Sequence, residues 1–140
     1  MVVCGVELRS SEARLVLVTV KDGELVHVRS KTKVLKLGDD TSNDSIATFL
    51  QAVKTFAHEN GVEAFAIKAR AKTGQMAGGG ITFKMEAIIQ LSGVDVTLVN
   101  PVALSSFSKK NIAGIPDTIN GVDQNAYLSG VFDLNRKKLV

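Results

Sequence analysis

The sequence predicts an α/β fold in which one mixed β-sheet carries helices on both faces. Three observations support this class. Short β-branched runs open the chain, a hairpin signal joins two of them, and later strands alternate with segments of helical periodicity. Strands joined by tight turns pair antiparallel, whereas strands separated by a helix are joined by parallel crossovers. The predicted order is βββαβαβαα, a five-stranded sheet built from a three-strand antiparallel meander plus two parallel strands.

The meander forms the start of the chain. Residues 2–8 and 13–20 are rich in Val and Leu, and residues 25–37 predict a third strand that is irregular around residues 30–33. Asp22-Gly23 lies between the second and third strands and is a strong hairpin signal, because both residues tolerate positive φ. The three strands are therefore expected to be neighbours in the sheet.

Helical periodicity begins after the meander. Thr41 or Ser42 can cap a first helix, and Asn60-Gly61 is a good stop because glycine accepts the left-handed conformation. The apolar face of this helix consists of Ile46, Phe49, Leu50, Val53, Phe56 and Ala57.

The second half of the chain alternates strands and helices. Residues 63–69 predict a buried strand, residues 81–92 a helix and residues 94–99 another strand. Asn100-Pro101 predicts a helix to about residue 110, because proline suits the first helical position. Asn120-Gly121 opens a last helix that runs to about residue 134.

Length and composition indicate a single globular domain over residues 1–140, with 45% hydrophobic and 22% charged residues. The opening apolar run is interrupted by Glu7 and Arg9, which argues against a secretory signal, and no apolar stretch is long enough for a membrane helix. The one cysteine, Cys4, cannot form an internal disulfide and is expected in the core. We therefore expect a cytoplasmic protein.

The charge is mildly basic and unevenly distributed. The net charge is +3 with an isoelectric point near 9.1. Between residues 67 and 85 there are four basic residues and no acid, so the candidate nucleic-acid contacts are Lys68, Arg70, Lys72 and Lys84. The Gly-rich residues 74–80 either cradle a phosphate with backbone N–H groups or form a close-packed crossover. Aromatic residues make up only 5%, which argues against a base-stacking platform.

Glu7 and Asp123 are the acids that are most informative about function. Glu7 lies in the expected central strand, where a carboxylate is costly to bury unless it binds a ligand or pairs with a base such as Arg9 or Lys68. Asp123 falls in the first turn of the last helix after Asn120, so it either binds a ligand or stabilises the helix start.

Glu86 is a third candidate acid. It lies with Thr82 and Gln90 on a polar stripe at four-residue spacing, on a helix that is otherwise apolar on most of its surface. Such a helix is either buried or part of a homodimer interface, and the stripe then faces solvent or pairs across that interface.

Short motifs add a family resemblance. Residues 4–7 (CGVE) resemble the first-strand Gly-hydrophobic-acid motif of RuvC-type Holliday-junction resolvases, which belong to the ribonuclease H-like superfamily. Residues 72–75 (KTGQ) resemble the Gly-Gln segment after the fourth strand of that group. CGVEL and AGGGITFKMEAIIQL also resemble a small bacterial family with no assigned function.

The resemblance implies a ribonuclease H-like fold and a carboxylate site for Mg²⁺ or Mn²⁺ that acts on structured nucleic acid. The implied metal ligands are Glu7 and Asp123, with Glu86 as an additional catalytic candidate. However, Lys68 and Asn125 stand where acids are expected. We therefore expect a nucleic-acid-binding module with a degenerate metal site, and the alternative is an active metal-dependent nuclease.

Overall fold

One sheet organises the chain, which we describe from a computed structural model that covers residues 1–71, 79–111 and 115–140. Among these residues the sheet has six strands: β1 (Val2–Arg9), β2 (Glu12–Lys21), β3 (Glu24–Val28), β4 (Val34–Lys36), β5 (Val62–Lys68) and β6 (Asp95–Val99). The order is β3-β2-β1-β5-β6, and β4 also pairs with β2. β1 pairs antiparallel with β2 and parallel with β5, which in turn is parallel to β6. The predicted mixed sheet is confirmed.

The third predicted strand is two strands, β3 and β4, which raises the count from five to six. The break lies in the segment that the sequence marks as irregular. There the Ser30 hydroxyl donates to the carbonyl of Thr32 and accepts from its N–H, which satisfies that backbone locally rather than in the sheet. The N–H of Leu15 donates to the carbonyl of Lys33 at 2.9 Å, and pairing with β2 resumes at Val34.

Four helices lie among the described residues: α1 (Asn43–Glu59), α2 (Gly80–Gln90), α3 (Pro101–Asn111) and α4 (Gln124–Arg136). A short 3₁₀ turn, Gly121–Asp123, precedes α4. The helix starts predicted at Ser42 and at Asn100-Pro101 are confirmed, because the Ser42 hydroxyl accepts from the N–H of Ser45 and the Asn100 side chain accepts from two N–H groups of α3. No helix in the described ranges has both the length and the apolar character that crossing a membrane requires.

The two faces of the sheet bury separate cores. Cys4, Val6 and Leu8 of β1 pack against α1 and α2. Val3 of β1 packs on the opposite face with residues of α3 and α4, including Leu104 and Leu134. Because side chains alternate along a strand, Glu7 projects to the face that carries α3 and α4. This position determines which elements can surround its carboxylate.

Helix α4 approaches β1 unusually closely at Gly5. A side-chain carbon at Gly5 would overlap the carbonyl oxygen of Ala126, and one at Gly130 would lie 2.7 Å from a methyl of Val18. The absence of side chains at both glycines therefore lets the helix backbone pack directly on the sheet. The start of α4 is thereby held beside the end of β1, where Glu7 lies.

Candidate functional site

The candidate site lies where β1 and β5 end and α4 begins. In the register of the sheet, Glu7 stands opposite Arg14 of β2 on one side and Lys68 of β5 on the other. The side chain of Asn125 reaches the same position from the first turn of α4. Asp123, the other acid that the sequence marks, contacts Arg14, which is the neighbour of Glu7 in β2.

The carboxylate of Glu7 is surrounded by nitrogen atoms. The Asn125 amide donates to Oε2 at 2.9 Å, and Nζ of Lys68 lies 3.7 Å from the same oxygen. Nε of Arg9 lies 3.2 Å from Oε1. The side chain of Glu7 is only 5% exposed, so these cations offset the cost of burying its charge. Pairing with Arg9 and Lys68, the alternative that the sequence suggests, is what the structure shows.

One oxygen of Glu7 is incompletely satisfied. Oε1 is buried and has no hydrogen-bond partner within the described part of the chain, although Arg9 forms an ion pair with it. A buried carboxylate oxygen in this state is unusual, because polar atoms in protein interiors are nearly always hydrogen-bonded. This atom is the feature of the site that most resembles an unused ligand position.

The carboxylate of Asp123 makes a short contact with β2. Nε of Arg14 donates to Oδ1 at 2.7 Å, and the Asp123 side chain is 7% exposed. Asn120 does start the 3₁₀ turn as predicted, but the side chain of Asp123 makes no capping hydrogen bond to α4. Asp123 does lie at the start of the last helix, as the sequence predicts, and its charge is paired with Arg14 there.

Arg14 is the site residue that sequence reasoning missed. It bridges two acids, because its Nη1 also lies 3.3 Å from Glu12. The hydrogen bond to Asp123 is the main cause that raises the pKa of the Arg14 guanidinium above its ordinary value. The sequence does mark Arg14, because it is a charged residue within an apolar strand. The same pattern does not reveal its partner Asp123, which lies 109 residues away.

The residues present do not fit the divalent metal that the resemblance implies. Lys68 and Arg14 place cationic groups against the two carboxylates that would be ligands. No cluster of three or more His, Cys, Asp or Glu side chains suited to a metal occurs in the ranges that the structure describes. Mg²⁺ prefers oxygen ligands with several waters, and a positive neighbour within 4 Å opposes it.

A cavity of about 270 Å³ opens next to these residues. Lys68 and Asn125 form one side of it, and α3 contributes Ser105, Ser108 and Lys109. Its polar groups are two ammonium groups, two hydroxyls and an amide. The lining therefore suits an anion better than a cation.

The other basic candidates are divided between two locations. Arg70, two residues after β5, reaches the end of β1, where its Nη1 donates to the carbonyl of Leu8 at 3.3 Å. Lys84 lies on α2 and pairs with Asp40, with Nζ 3.0 Å from the carboxylate. Lys72 and residues 74–78 of the Gly-rich segment fall outside the described residues, so the phosphate-cradle hypothesis stays a prediction.

Glu86 lies on a different element from the residues that contact Glu7. It is half-buried on α2, whose core residues pack on the opposite face of the sheet. The polar stripe does not face solvent throughout, because Thr82 is 3% exposed and its hydroxyl donates to the carbonyl of Gly79 at 2.6 Å. The apolar side of α2 ends in Leu91, which is 71% exposed.

Comparison with known proteins gives a family and a fold. Residues 1–132 match a family described as "Protein of unknown function (DUF3010)". No curated protein matches the chain.

Solved structures resemble the whole chain. RuvC of Thermus thermophilus in complex with a Holliday junction substrate gives a TM-score of 0.72 at 13% identity, covering 99% of this chain and 96% of that one. Another Thermus thermophilus RuvC structure gives 0.65 at 16% identity, with coverage of 99% and 97%. Fowlpox virus resolvase with Holliday junction DNA gives 0.53 at 11% identity, with coverage of 97% and 98%. The predicted ribonuclease H-like fold is confirmed, and at these identities the likeness concerns the fold alone.

Proposed function

The chain belongs to the DUF3010 family of proteins of unknown function, and we propose that it is a cytoplasmic nucleic-acid-binding module with a degenerate metal site. The observation that carries this proposal is the pair of contacts to Oε2 of Glu7. Lys68 and Asn125 make those contacts, at 3.7 and 2.9 Å, and neither can act as an anionic metal ligand. The fold supports the nucleic-acid part, because the similar solved structures include two complexes with Holliday junctions.

The cavity beside Lys68 is the proposed phosphate contact. Lys109 of α3 extends its basic lining, and the hydroxyls of Ser105 and Ser108 add donors. Phosphate oxygens accept hydrogen bonds from both lysine and serine, and such contacts position a protein on nucleic acid without reading its sequence. We therefore expect recognition of nucleic-acid shape rather than of particular bases.

Binding should depend on salt and not on divalent metal. Each phosphate that a lysine neutralises releases counterions, so the affinity falls as salt rises. The cations beside Glu7 already occupy the space next to the carboxylate, so a chelator should not change the affinity.

The test is fluorescence anisotropy with a labelled four-way DNA junction and a duplex, in EDTA and in Mn²⁺. The proposal expects binding in both buffers, and Mn²⁺ should weaken it only as a competing cation does. Lys109→Gln should weaken binding and reduce the salt slope by about 1. Lys54→Gln is the matched control, because Lys54 is exposed on α1, on the other face of the sheet. Binding that disappears in EDTA contradicts the proposal.

The alternative function is an active metal-dependent nuclease, and the buried Oε1 of Glu7 favours it. In that case Oε1 of Glu7, which has no hydrogen bond from the described residues, would be the oxygen available to a metal. Cleavage assays on branched DNA and on RNA–DNA hybrids with Mn²⁺ distinguish the two functions. If the protein is a nuclease, the wild type cleaves these substrates and the Glu7→Gln variant does not. If it is a binding module, neither the wild type nor the variant cleaves them.

A homodimer through α2 is a further part of the proposal. Leu91, the residue that follows α2, is 71% exposed, and Leu98 of the edge strand β6 is 42% exposed, so both apolar side chains are available for contact. Light scattering at micromolar concentration tests it. A dimer that Leu91→Glu dissociates supports the proposal, and a monomeric wild type contradicts it.

A further inference from the structure

A second cavity, of about 310 Å³, lies on the same face of the sheet but over β2 and β3. It is bounded on one side by the segment that joins β3 to β4 and on the other by the residues before α4. The lining residues that matter here are Val16, His27, Arg29, Lys33, Ile119 and Asn120. Its volume is at the lower end of the range for small-ligand sites.

The break between β3 and β4 creates this cavity. Ser30 turns the chain locally through its hydrogen bonds with Thr32, so residues 29–33 leave the sheet before Lys33 returns to β2. Arg29 and Lys33, one at each end of this excursion, both line the cavity. Two exposed cationic residues thus border one opening.

His27 adds a third nitrogen-bearing group with a fixed orientation. Its Nδ1 lies 2.8 Å from the hydroxyl of Thr118, which joins β3 to the segment before α4. This bond leaves Nε2 as the ring nitrogen not engaged by Thr118. The ring is therefore positioned as part of the cavity wall rather than as a mobile surface side chain.

The carboxylate of Asp123 also lines this cavity, and its charge is already paired. Arg14 donates to Oδ1 at 2.7 Å and is itself 20% exposed. The repulsion that Asp123 would exert on a bound anion is thereby reduced. Apolar walls from Val16, Val28 and Ile119 complete the cavity.

We propose that this cavity binds a phosphate monoester attached to a partly apolar body, as in a mononucleotide or the 5′-phosphorylated end of a strand. A phosphate monoester carries about −1.5 to −2 charges and three acceptor oxygens. A group with this charge and these oxygens suits Arg29, Lys33 and His27 better than a carboxylate with a single charge does. Arginine in particular recognises phosphate through two parallel N–H groups.

The site is separate from the proposed nucleic-acid contact at Lys68. Among the described residues the two cavities share no lining residue, and Asp123 and Asn125 at the start of α4 lie one in each. The inference therefore stands if the binding-module proposal fails, and Lys68→Gln distinguishes the two, since it should leave this cavity unchanged.

Titration calorimetry at low salt with adenosine 5′-monophosphate tests the proposal, with adenosine as the ligand without phosphate. We expect binding of the monophosphate and not of adenosine. Arg29→Gln and Lys33→Gln should each weaken it about tenfold, the usual effect of losing a charge-assisted hydrogen bond. Lys31→Gln is the control, because Lys31 is exposed in the same segment and does not line the cavity.

Amide chemical shifts locate the ligand and exclude a general charge effect. Saturable shifts at Val16 and Ile119 are expected, and shifts confined to Lys68 and Lys109 overturn the proposal. A short oligonucleotide with and without a 5′-phosphate distinguishes the two sources of the monoester. Tighter binding of the phosphorylated oligonucleotide assigns the cavity to strand ends, and equal binding of both assigns it to free nucleotides. No monophosphate binding, or binding unchanged in Arg29→Gln and Lys33→Gln, overturns it.

Discussion

Glu7 and Lys68 are direct neighbours in adjacent parallel strands, and Nζ of Lys68 lies 3.7 Å from Oε2 of Glu7. The pair is unequal in burial, because the Glu7 side chain is 5% exposed and that of Lys68 is 28% exposed. Loss of the pair therefore leaves the buried carboxylate with less compensation for its charge, whereas water can solvate the more exposed ammonium group. Variants of Glu7 and of Lys68 therefore both test the pair.

Lys68→Gln should lower the free energy of unfolding by about 1–2 kcal/mol, because a buried carboxylate loses one of its cations while Asn125 and Arg9 remain. The loss should be smaller when Glu7→Gln is also present, since the charge that needs compensation is then absent. Urea unfolding of the two single variants and the double variant measures the coupling.

Lys84→Gln is the control for this cycle. Lys84 also pairs with an acid, Asp40, but its side chain is 47% exposed, so its removal should cost less than about 1 kcal/mol. Equal losses for Lys68→Gln and Lys84→Gln would mean that the burial of Glu7 does not determine the strength of its pair.

Arg14→Gln should be more damaging, with a loss of roughly 2–4 kcal/mol. Its removal leaves Asp123 buried without the 2.7 Å contact that compensates its charge. Thermal and urea unfolding measure the effect. Lys36→Gln is the matched control, since Lys36 is 72% exposed and contacts Glu12, the other acid that Arg14 pairs with. A variant as stable as wild type contradicts the assigned role of Arg14.

Gly5→Ala should unfold the protein or shift α4, with a cost of roughly 3 kcal/mol or more. The added methyl meets main-chain atoms of Ala126 that cannot rotate away. Gly121→Ala, where nothing lies near the added methyl, should change stability by no more than about 0.5 kcal/mol. Circular dichroism with urea unfolding separates the two. A Gly5→Ala protein of native stability is inconsistent with the described packing.

Acidification should weaken the fold through His27. Burial first, and then the charges of Arg29 and Lys33, lower the pKa of His27 below its ordinary 6.5, although Asp123 acts in the opposite direction. The native state then binds fewer protons than the unfolded state, so stability is lost as the pH falls through 6.5 towards the native pKa.

A side-chain NMR titration gives that native pKa directly. His27→Gln removes the titration, so its stability should fall less between pH 7.5 and pH 5 than that of wild type. A native pKa of His27 at or above 6.5 contradicts the expected sign.

Much of the fold could be predicted from the sequence, because its signals are local. Asp22 and Gly23 have φ values of 52° and 79° in the hairpin, and Gly61 has 61° after α1, as the turn and stop signals predict. The division of the third predicted strand into β3 and β4 is harder to predict. Residues 30–33 are recognisably irregular in sequence, but the Ser30 hydrogen bonds after β3 depend on side-chain geometry.

The site was predictable only in part, for a different physical reason. Glu7 was found because a carboxylate in a central strand is costly, and its partners Arg9 and Lys68 were among the alternatives considered. The pairing of Arg14 with Asp123 joins residues 109 positions apart, and that distance depends on how α4 lies on the sheet. No local pattern reports such a relationship, so the sequence predicts that Asp123 lies at the helix start but not that its partner is Arg14.

The direct contact of α4 with β1 at Gly5 and Gly130 makes the framework independent of the chemistry it carries. Main-chain atoms set the spacing between the two elements, so the identities of side chains 7, 68 and 125 do not have to maintain it. Substitutions at these positions should therefore change the charge and the stability of the site without moving α4 relative to β1. The same backbone arrangement can therefore carry either a negatively or a positively charged site, depending on the residues at these three positions.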